Sequence, residues 1–509
     1  MGFMGSVEKE LLNGEANRSR TENGALGYRT TGKNLLDLNF QTSSLRKKQP
    51  DEIVGKYVDA FLDDKLYALK WLFYLRDVRE GLGERRSFRI IMNHLAKSES
   101  DIAKALVALI PEYGRYDDLM CLFGTECEVF ALTAIKEQLN KDLEAMKANK
   151  PISLLGKWLP SCNASSRETV ERGLLISKYL GLNEKNYRKM LSELREYLKV
   201  VERQMSAKEW DKINYEAVPS RANLNYNGAF LRNDEERRRA YLESLKKGEA
   251  KINASVLFPH DIVNKYKEAV HGTATKKKDD TLEALWKALP DLVQENTSTL
   301  VIRDGSGSMI RMITNDSYVT ALDVSTALAI YFSERASGEF KDKYITFGNK
   351  PKVVDLTGMT SLRDKLIRSY RETDWTNTNI EATFNLILNV AIKGKMKQED
   401  MPKNILIVSD MEFDEATYGR RDQTLFNEIA ERFAAHGYKM PRLVFWNVNS
   451  RTGTIPVREN ELGVALVSGF SVNVIKMVLS GELDPYKCLT DQLDSERYAP
   501  VEAAVKDLL

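Results

Sequence analysis

The sequence predicts a two-part α + α/β chain, an N-terminal helical-repeat array followed by a doubly wound sheet domain. From about residue 51 to 289, apolar residues recur at three- and four-residue steps with no sustained strand-like alternation. From Thr299 onward, short apolar runs alternate with amphipathic segments, the pattern of a parallel sheet wrapped by helices. At 509 residues the chain also exceeds one ordinary core, so two or three domains are expected.

In chain order, residues 1–30 are polar and aperiodic and read as a flexible N-terminal arm, with 34–40 a short ordered lead-in. Helices are expected over 51–62, 65–76, 85–95, 101–110, 113–122, 128–146, 184–203 and 281–292, joined by short loops that make neighbours antiparallel. The lysines at 276–278 fall in a solvated hinge. Strands are expected over 300–302, 343–347, 351–356, 405–408, 442–447 and 463–468, and helices over 318–333, 380–392, 423–436 and 471–479. In the first of these helices Asp323 reads as a solvated or capping carboxylate. The expected division is 1–30 arm, 31–292 helical array, 293–484 sheet domain and 485–509 helical tail packing back on the body.

Composition excludes several classes. No window approaches the ~20 apolar residues of a membrane span, and no apolar stretch follows Met1 as a secretory signal would require. Cys121, Cys127, Cys162 and Cys488 show no metal or disulfide spacing, which points to a reducing, cytoplasmic setting. Net charge is only +2, yet residues 151–260 hold 20 Lys+Arg against 14 Asp+Glu, a local +6 that leaves −4 for the rest. A basic face on one domain is therefore compatible with a near-neutral whole.

The chemistry concentrates where the apolar run at 300–302 empties into Asp304, Ser306 and Ser308. Such a run ending in Asp-x-Ser-x-Ser places hard oxygen donors at the carboxyl edge of a sheet, where open α/β folds bind ligands. One carboxylate and two hydroxyls are too few for Ca²⁺ and suit Mg²⁺, which keeps several waters. The bland alternative is a Gly/Ser turn capping the next helix. Two later stretches add donors: Thr376 and Thr378 before the amphipathic helix at 380–392, and Asp410 at the end of the apolar run 404–409.

This five-residue constellation resembles the metal-ion-dependent adhesion site of a von Willebrand factor A domain. Carried over position by position, the resemblance implies that Asp304, Ser306, Ser308, Thr378 and Asp410 hold one Mg²⁺ or another divalent cation, directly or through water, and that a partner supplies a further carboxylate. Ser-Asp-Met at 409–411 replaces the commoner Thr-Asp-Gly, and Thr376 competes with Thr378.

The stretches 68–85, 112–119, 195–202, 218–222 and 259–263 are similar to signatures of an uncharacterised family, domain-of-unknown-function family 2828. That family joins a TROVE-like, HEAT-type helical module to a von Willebrand A domain and looks like a distant relative of the Ro ribonucleoprotein autoantigen. The Ro likeness implies a ring that binds small non-coding or misfolded RNA on a basic outer surface and admits single-stranded ends to its hole. On a continuous helix over 184–203, Lys185, Arg188, Arg195, Lys199 and Arg203 would share one sector. Stacked like charges cost a few tenths of a kcal/mol per pair, a repulsion that a polyanion relieves. Arg221, Arg232, Arg237 and Arg238 add cations among Tyr226, Phe230 and Tyr241. The group Arg76, Arg79, Arg85, Arg86 and Arg89 is a weaker candidate.

His260 and His436 are more simply structural, and neither a Walker lysine loop nor a dinucleotide-binding glycine fingerprint is present. The reading is therefore a non-catalytic RNA-binding scaffold. The rival is a metal-dependent protein-interaction or assembly factor without RNA.

Overall fold

Two short strands, β1 (Arg18–Arg20) and β2 (Leu26–Tyr28), pair as an antiparallel hairpin. Six more build one sheet: β3 (Thr299–Asp304), β4 (Lys343–Phe347), β5 (Lys352–Asp355), β6 (Asn404–Ser409), β7 (Arg442–Asn447) and β8 (Val464–Ser468). Their order is β5-β4-β3-β6-β7-β8, parallel throughout except the β4–β5 hairpin at one edge. The computed structural model describes Met4 and residues 12–267, 277–293, 298–314, 318–373, 375–415, 425–456, 464–474 and 484–509. The start of the expected hinge (Lys276), most of the helix expected at 471–479 and the first residues of that expected at 423–436 lie outside the described residues.

The chain divides into two units: residues 1–64 with 257–493, and residues 65–256 with 494–509. The first is the α/β unit. Its central strands are buried along nearly their whole length, as a parallel sheet covered by helices requires. Helix Ala321–Arg335 lies against β3, β4 and β6 and buries almost every residue. Thr320 and Asp323 form its capping box, and the hydroxyl of Tyr370 donates to Asp323 at 2.7 Å. Asp323 is thus a buried capping carboxylate, one of the two roles expected.

The expected domain boundaries need correction here. Helix Asn34–Phe40 packs on β8, helix Pro259–Lys267 on Ala321–Arg335, and helix Asp280–Lys287 on Leu362–Arg371. All three belong to the sheet unit, not to the helical array, because local periodicity cannot say which core a helix joins. The described part of the expected flexible arm, residues 12–30, is ordered: Ser43 and Asn447 tie the following helices to the sheet, and the hairpin hooks over its carboxyl edge.

The second unit is helical. Helix Lys65–Arg76 buries every residue from Ala68 to Arg76. Beside it, Phe73, Tyr74, Tyr113 and Tyr498 form an edge-on and stacked aromatic cluster, with Tyr498 and helix Ala499–Val505 coming from the tail. Asp118, fully buried, accepts from Arg76 at 2.6 Å and from Arg89 at 2.7 Å, and Arg497 pairs with Asp77 at 2.8 Å. Arg76 and Arg89 therefore hold the unit together, which removes them from the candidate RNA surface. Arg79, Arg85 and Arg86 are exposed.

Helix 184–203 is not continuous. It ends at Tyr197, and a second helix runs Val201–Ser206. Lys199 stands at φ +51° while the N–H of Val200 donates to Arg195 O and that of Lys199 to Glu196 O. That is the left-handed termination usually made by glycine. Periodicity could not see it because the residue is a lysine.

Among the described residues no helix is long and apolar enough to cross a membrane. All four cysteines are free thiols.

Candidate metal centre

β3 and β6 are neighbours in the sheet, with Ile302 opposite Ile407 and Arg303 opposite Val408. The chain leaves β3 for β4 on one side and returns to β6 on the other, so the gap between their carboxyl ends is a topological switch point, where such sheets bind ligands. Asp304 ends β3 and Asp410 follows β6.

Both carboxylates are fully buried. Asp304 accepts from Ser306 N at 2.8 Å and from the Ser409 hydroxyl at 2.5 Å. Ser306 and Ser308 share a hydroxyl hydrogen bond of 3.0 Å, and Ser308 donates onward to Asp410. Burial, then the neighbouring Asp410, pushes the Asp304 carboxyl up to about 7. Asp410 is also raised by burial, against the pull of Arg451, whose Nη1 donates to it at 3.0 Å. Two carboxylates facing each other out of water need a cation, and here Arg451 is the one in contact.

The third loop is fastened by backbone. Gly307 N donates to Thr376 O at 3.0 Å, Trp375 N to Gly305 O at 3.1 Å, and Gly305 N to Phe347 O at 2.8 Å. A Cβ at Gly305 would lie 2.8 Å from Thr346 Oγ1, and one at Gly307 3.1 Å from Trp375 O, so close approach requires glycine at both. Arg303, fully buried, donates to Thr326, Thr346 and Thr373 and so anchors the start of this loop. Asn379 caps helix Ile380–Gly394.

The two threonines are separated by what they touch. Thr376 is exposed and its hydroxyl accepts from Asn349 N at 2.8 Å. Thr378 is buried, and its hydroxyl accepts from Asn23 Nδ2 at 3.1 Å. That amide also donates to Glu412 O at 2.7 Å, placing Thr378 beside the Asp410 loop. Met411, where the resembling pattern has glycine, stands at φ +64°, so the backbone turn survives the substitution at a cost of about 1–2 kcal/mol.

The donor set is all oxygen, two carboxylates and hydroxyls, which fits a hard divalent cation. Among the described residues no group of three or more His, Cys, Asp or Glu gathers to hold a metal. Glu412 lies close by, but its carboxylate is spent on the N–H groups of Glu22, Arg451 and Thr452 at 2.8–3.0 Å.

The proposed RNA surface fares less evenly. Arg238 is fully buried, bonded to Asn223 and Asn227 among Tyr215, Phe230 and Tyr241, and is a core residue rather than a phosphate contact. Arg195 donates to the carbonyls of Gly156 (3.0 Å) and Leu159 (2.7 Å). Arg203 is engaged by Glu196 and Glu209, and Arg237 by Trp210 O, Ile213 O and Asp234. Lys185, Arg188, Lys199, Arg221 and Arg232 are exposed, as is Arg237. The break at Lys199 takes Lys199 and Arg203 off the face they were expected to share with Arg195.

Residues 298–504 match a domain of unknown function (DUF7788), and residues 166–299 match a second (DUF2828). The chain is similar to the uncharacterized protein L728 of Acanthamoeba polyphaga mimivirus, 30% identical over 531 residues that cover 96% of this chain and 89% of the viral one. It belongs to that uncharacterised family. The junction between the two matches falls at the first residue of β3, so the loops described above all lie within the DUF7788 part.

Beyond the five expected ligands, this family member brings Glu22, Asn23, Arg303, Ser409, Glu412 and Arg451 to the same sheet edge. Arg451 follows β7 just as Asp410 follows β6, and strand order alone would have flagged it. Glu22 and Asn23 are signalled only by Asn23-Gly24, a hairpin-turn dipeptide, whose flanking strands of three residues are too short to show alternation.

Arg195→Glu is expected to destabilise the helical unit by about 1–3 kcal/mol, because two buried carbonyls lose their donor. Urea unfolding measures it.

Proposed function

We propose that this chain is a divalent-cation-dependent protein-docking factor. Its sheet domain is read as a von Willebrand A-type module and its helical unit as a degenerate, TROVE-like repeat scaffold, without catalytic activity. The observation that carries this reading is the pair Asp304 and Asp410 at adjacent strand ends, both out of water and linked through Ser308. With Ser306, Ser308 and Thr378 they would hold a Mg²⁺ ion, and the ion supplies an open coordination position for a carboxylate of the partner. Arg451 keeps the second carboxylate balanced when it pairs there and retains Glu22 as an alternative partner.

The test is capture of partners by the tagged full chain in Mg²⁺ and in EDTA. Proteins retained in Mg²⁺ and released by EDTA support docking. Retention indifferent to EDTA, with an absorbance ratio typical of nucleic acid, would instead favour the Ro-like reading of an RNA-binding scaffold. That second reading rests on the exposed Lys185, Arg188, Arg221 and Arg232. It predicts that charge reversal at Lys185, Arg188 and Arg232, rather than at Arg195, strips bound RNA.

A further inference from the structure

The tip of the β1–β2 hairpin sits over the proposed centre. Thr21 Oγ1 donates to Phe413 O at 2.6 Å, Glu22 N to Glu412 at 2.8 Å, and Glu415 N to Asn23 O at 3.2 Å. β2 pairs with the next loop through Tyr28 N to Ile455 O at 2.9 Å and its reciprocal at 2.8 Å. The Glu22 carboxylate pairs with Arg451, which also holds Asp410, and with Arg311 at 3.5 Å. Lys47 stands close enough to Arg311 and Arg451 that, after burial, their charges depress its pKa. Arg451, Arg311 and Lys47 thus converge where the hairpin offers Glu22, and Arg451 is shared with Asp410.

The attachments are mostly polar. Glu22 and Asn23 are exposed, and Thr21, Ala25 and Gly27 are the buried residues of the turn and β2. Water can replace such contacts, so this element belongs to the parts of a fold that open at low cost. Around it, the loops carrying Ser308 and Thr378 expose large apolar side chains: Ile310 at 56%, Met312 at 46% and Trp375 at 49%. Trp375 also stands at φ +60°, a conformation a bulky residue holds only when its surroundings impose it. Exposed aromatic and aliphatic groups beside Arg311 and Arg451 fit an extended segment that carries a carboxylate among apolar residues.

We propose that this face is the docking surface for an extended segment of a partner protein that carries a carboxylate, and that residues 18–28 occupy it in cis until that partner displaces them. The proposal rests on the docking reading above and adds what docks and what competes. Glu22 marks, at Arg451, the position of a partner carboxylate other than the one the ion would take, and the backbone of β2 marks its strand-like path along Ile455. A tethered competitor acts at an effective concentration on the order of mM, so a partner must outbid it by additional contacts to the apolar rim.

The experiment uses the full-length chain and a fluorescent synthetic peptide of residues 15–31 as probe, read by anisotropy. In Gly27→Val the new side chain would meet Thr454 at 2.5 Å and Ile455 O at 2.7 Å, which lifts the hairpin and leaves its seat intact. The Gly27→Val chain should bind the peptide at least about tenfold more tightly than the wild type, because the tethered competitor is gone. A peptide carrying Glu22→Gln should lose that gain. The double variant Glu22→Ala/Asn23→Ala of the full chain, which alters only exposed tip residues, should show the same gain if Gly27→Val fails to fold. Equal affinity for variant and wild type, or no binding to any of them, overturns the proposal. Mn²⁺ calorimetry on the same proteins decides the metal reading separately, since the peptide's seat is made of protein groups and should survive EDTA.

Discussion

Asp118→Ala is expected to cost the helical unit about 3–5 kcal/mol, the usual result of removing one partner from a buried ion network. Asp118 is fully buried and takes hydrogen bonds from Arg76 at 2.8 Å, Arg89 at 2.7 Å and Arg115 N at 2.9 Å. Arg76 is itself 2% exposed. Alanine leaves that guanidinium with no carboxylate and no water, whereas Arg89 can still reach Asp117 at 2.8 Å. Asp118→Asn should cost less, because the amide oxygen still accepts one donor. Guanidinium unfolding, with hydrogen exchange over residues 65–122 to locate the loss, reads the effect. A change below about 1 kcal/mol, the worth of an exposed pair, would show that the network is not what holds these helices.

Asp304→Asn is expected to weaken Mn²⁺ or Mg²⁺ binding by at least about a hundredfold, or roughly 3 kcal/mol, measured by calorimetry. The amide oxygen still accepts from Ser306 N, while the NH2 replaces the oxygen that Ser409 used, so the Ser409 hydroxyl turns to accept and the charge is removed. The same substitution should leave the metal-free protein as stable as the wild type or more so. Burial and Asp410 already disfavour the Asp304 carboxylate, and asparagine ends that conflict. A metal-free Asp304→Asn chain that unfolds more easily, with cation affinity unchanged, would mean that Asp304 serves only to fasten β3 to β6. Asp410→Ala should also abolish cation binding while leaving Arg451 paired with Glu22.

Much of the α/β unit was legible in the sequence. Strands 343–347 and 442–447 were bounded to the residue, and the run at 300–302 led to Asp304 as expected. Buried parallel strands are continuous apolar runs, and such runs need no partner to be recognised. Helix 65–76 was bounded equally well, but the break at Lys199 was not, because left-handed terminations made by lysine carry no signal. Arg238 shows the other failure. A cation in a run of three arginines reads as surface, and only the packing of Tyr215, Phe230 and Tyr241 around it reveals a core residue.

By itself the sequence determined the chain order of the six sheet strands, and it determined which oxygens follow which strand, because both are set by local periodicity and by chain order. Only the tertiary structure decided that Asp304 and Asp410 come together out of water, that Arg451 stands there as the counter-charge of Asp410, and that the hairpin of residues 18–28 covers them. Those facts depend on strand order and on pairings across more than 380 residues of chain, such as Glu22 with Glu412. Long-range contacts of that kind leave no periodic trace in the segments that make them.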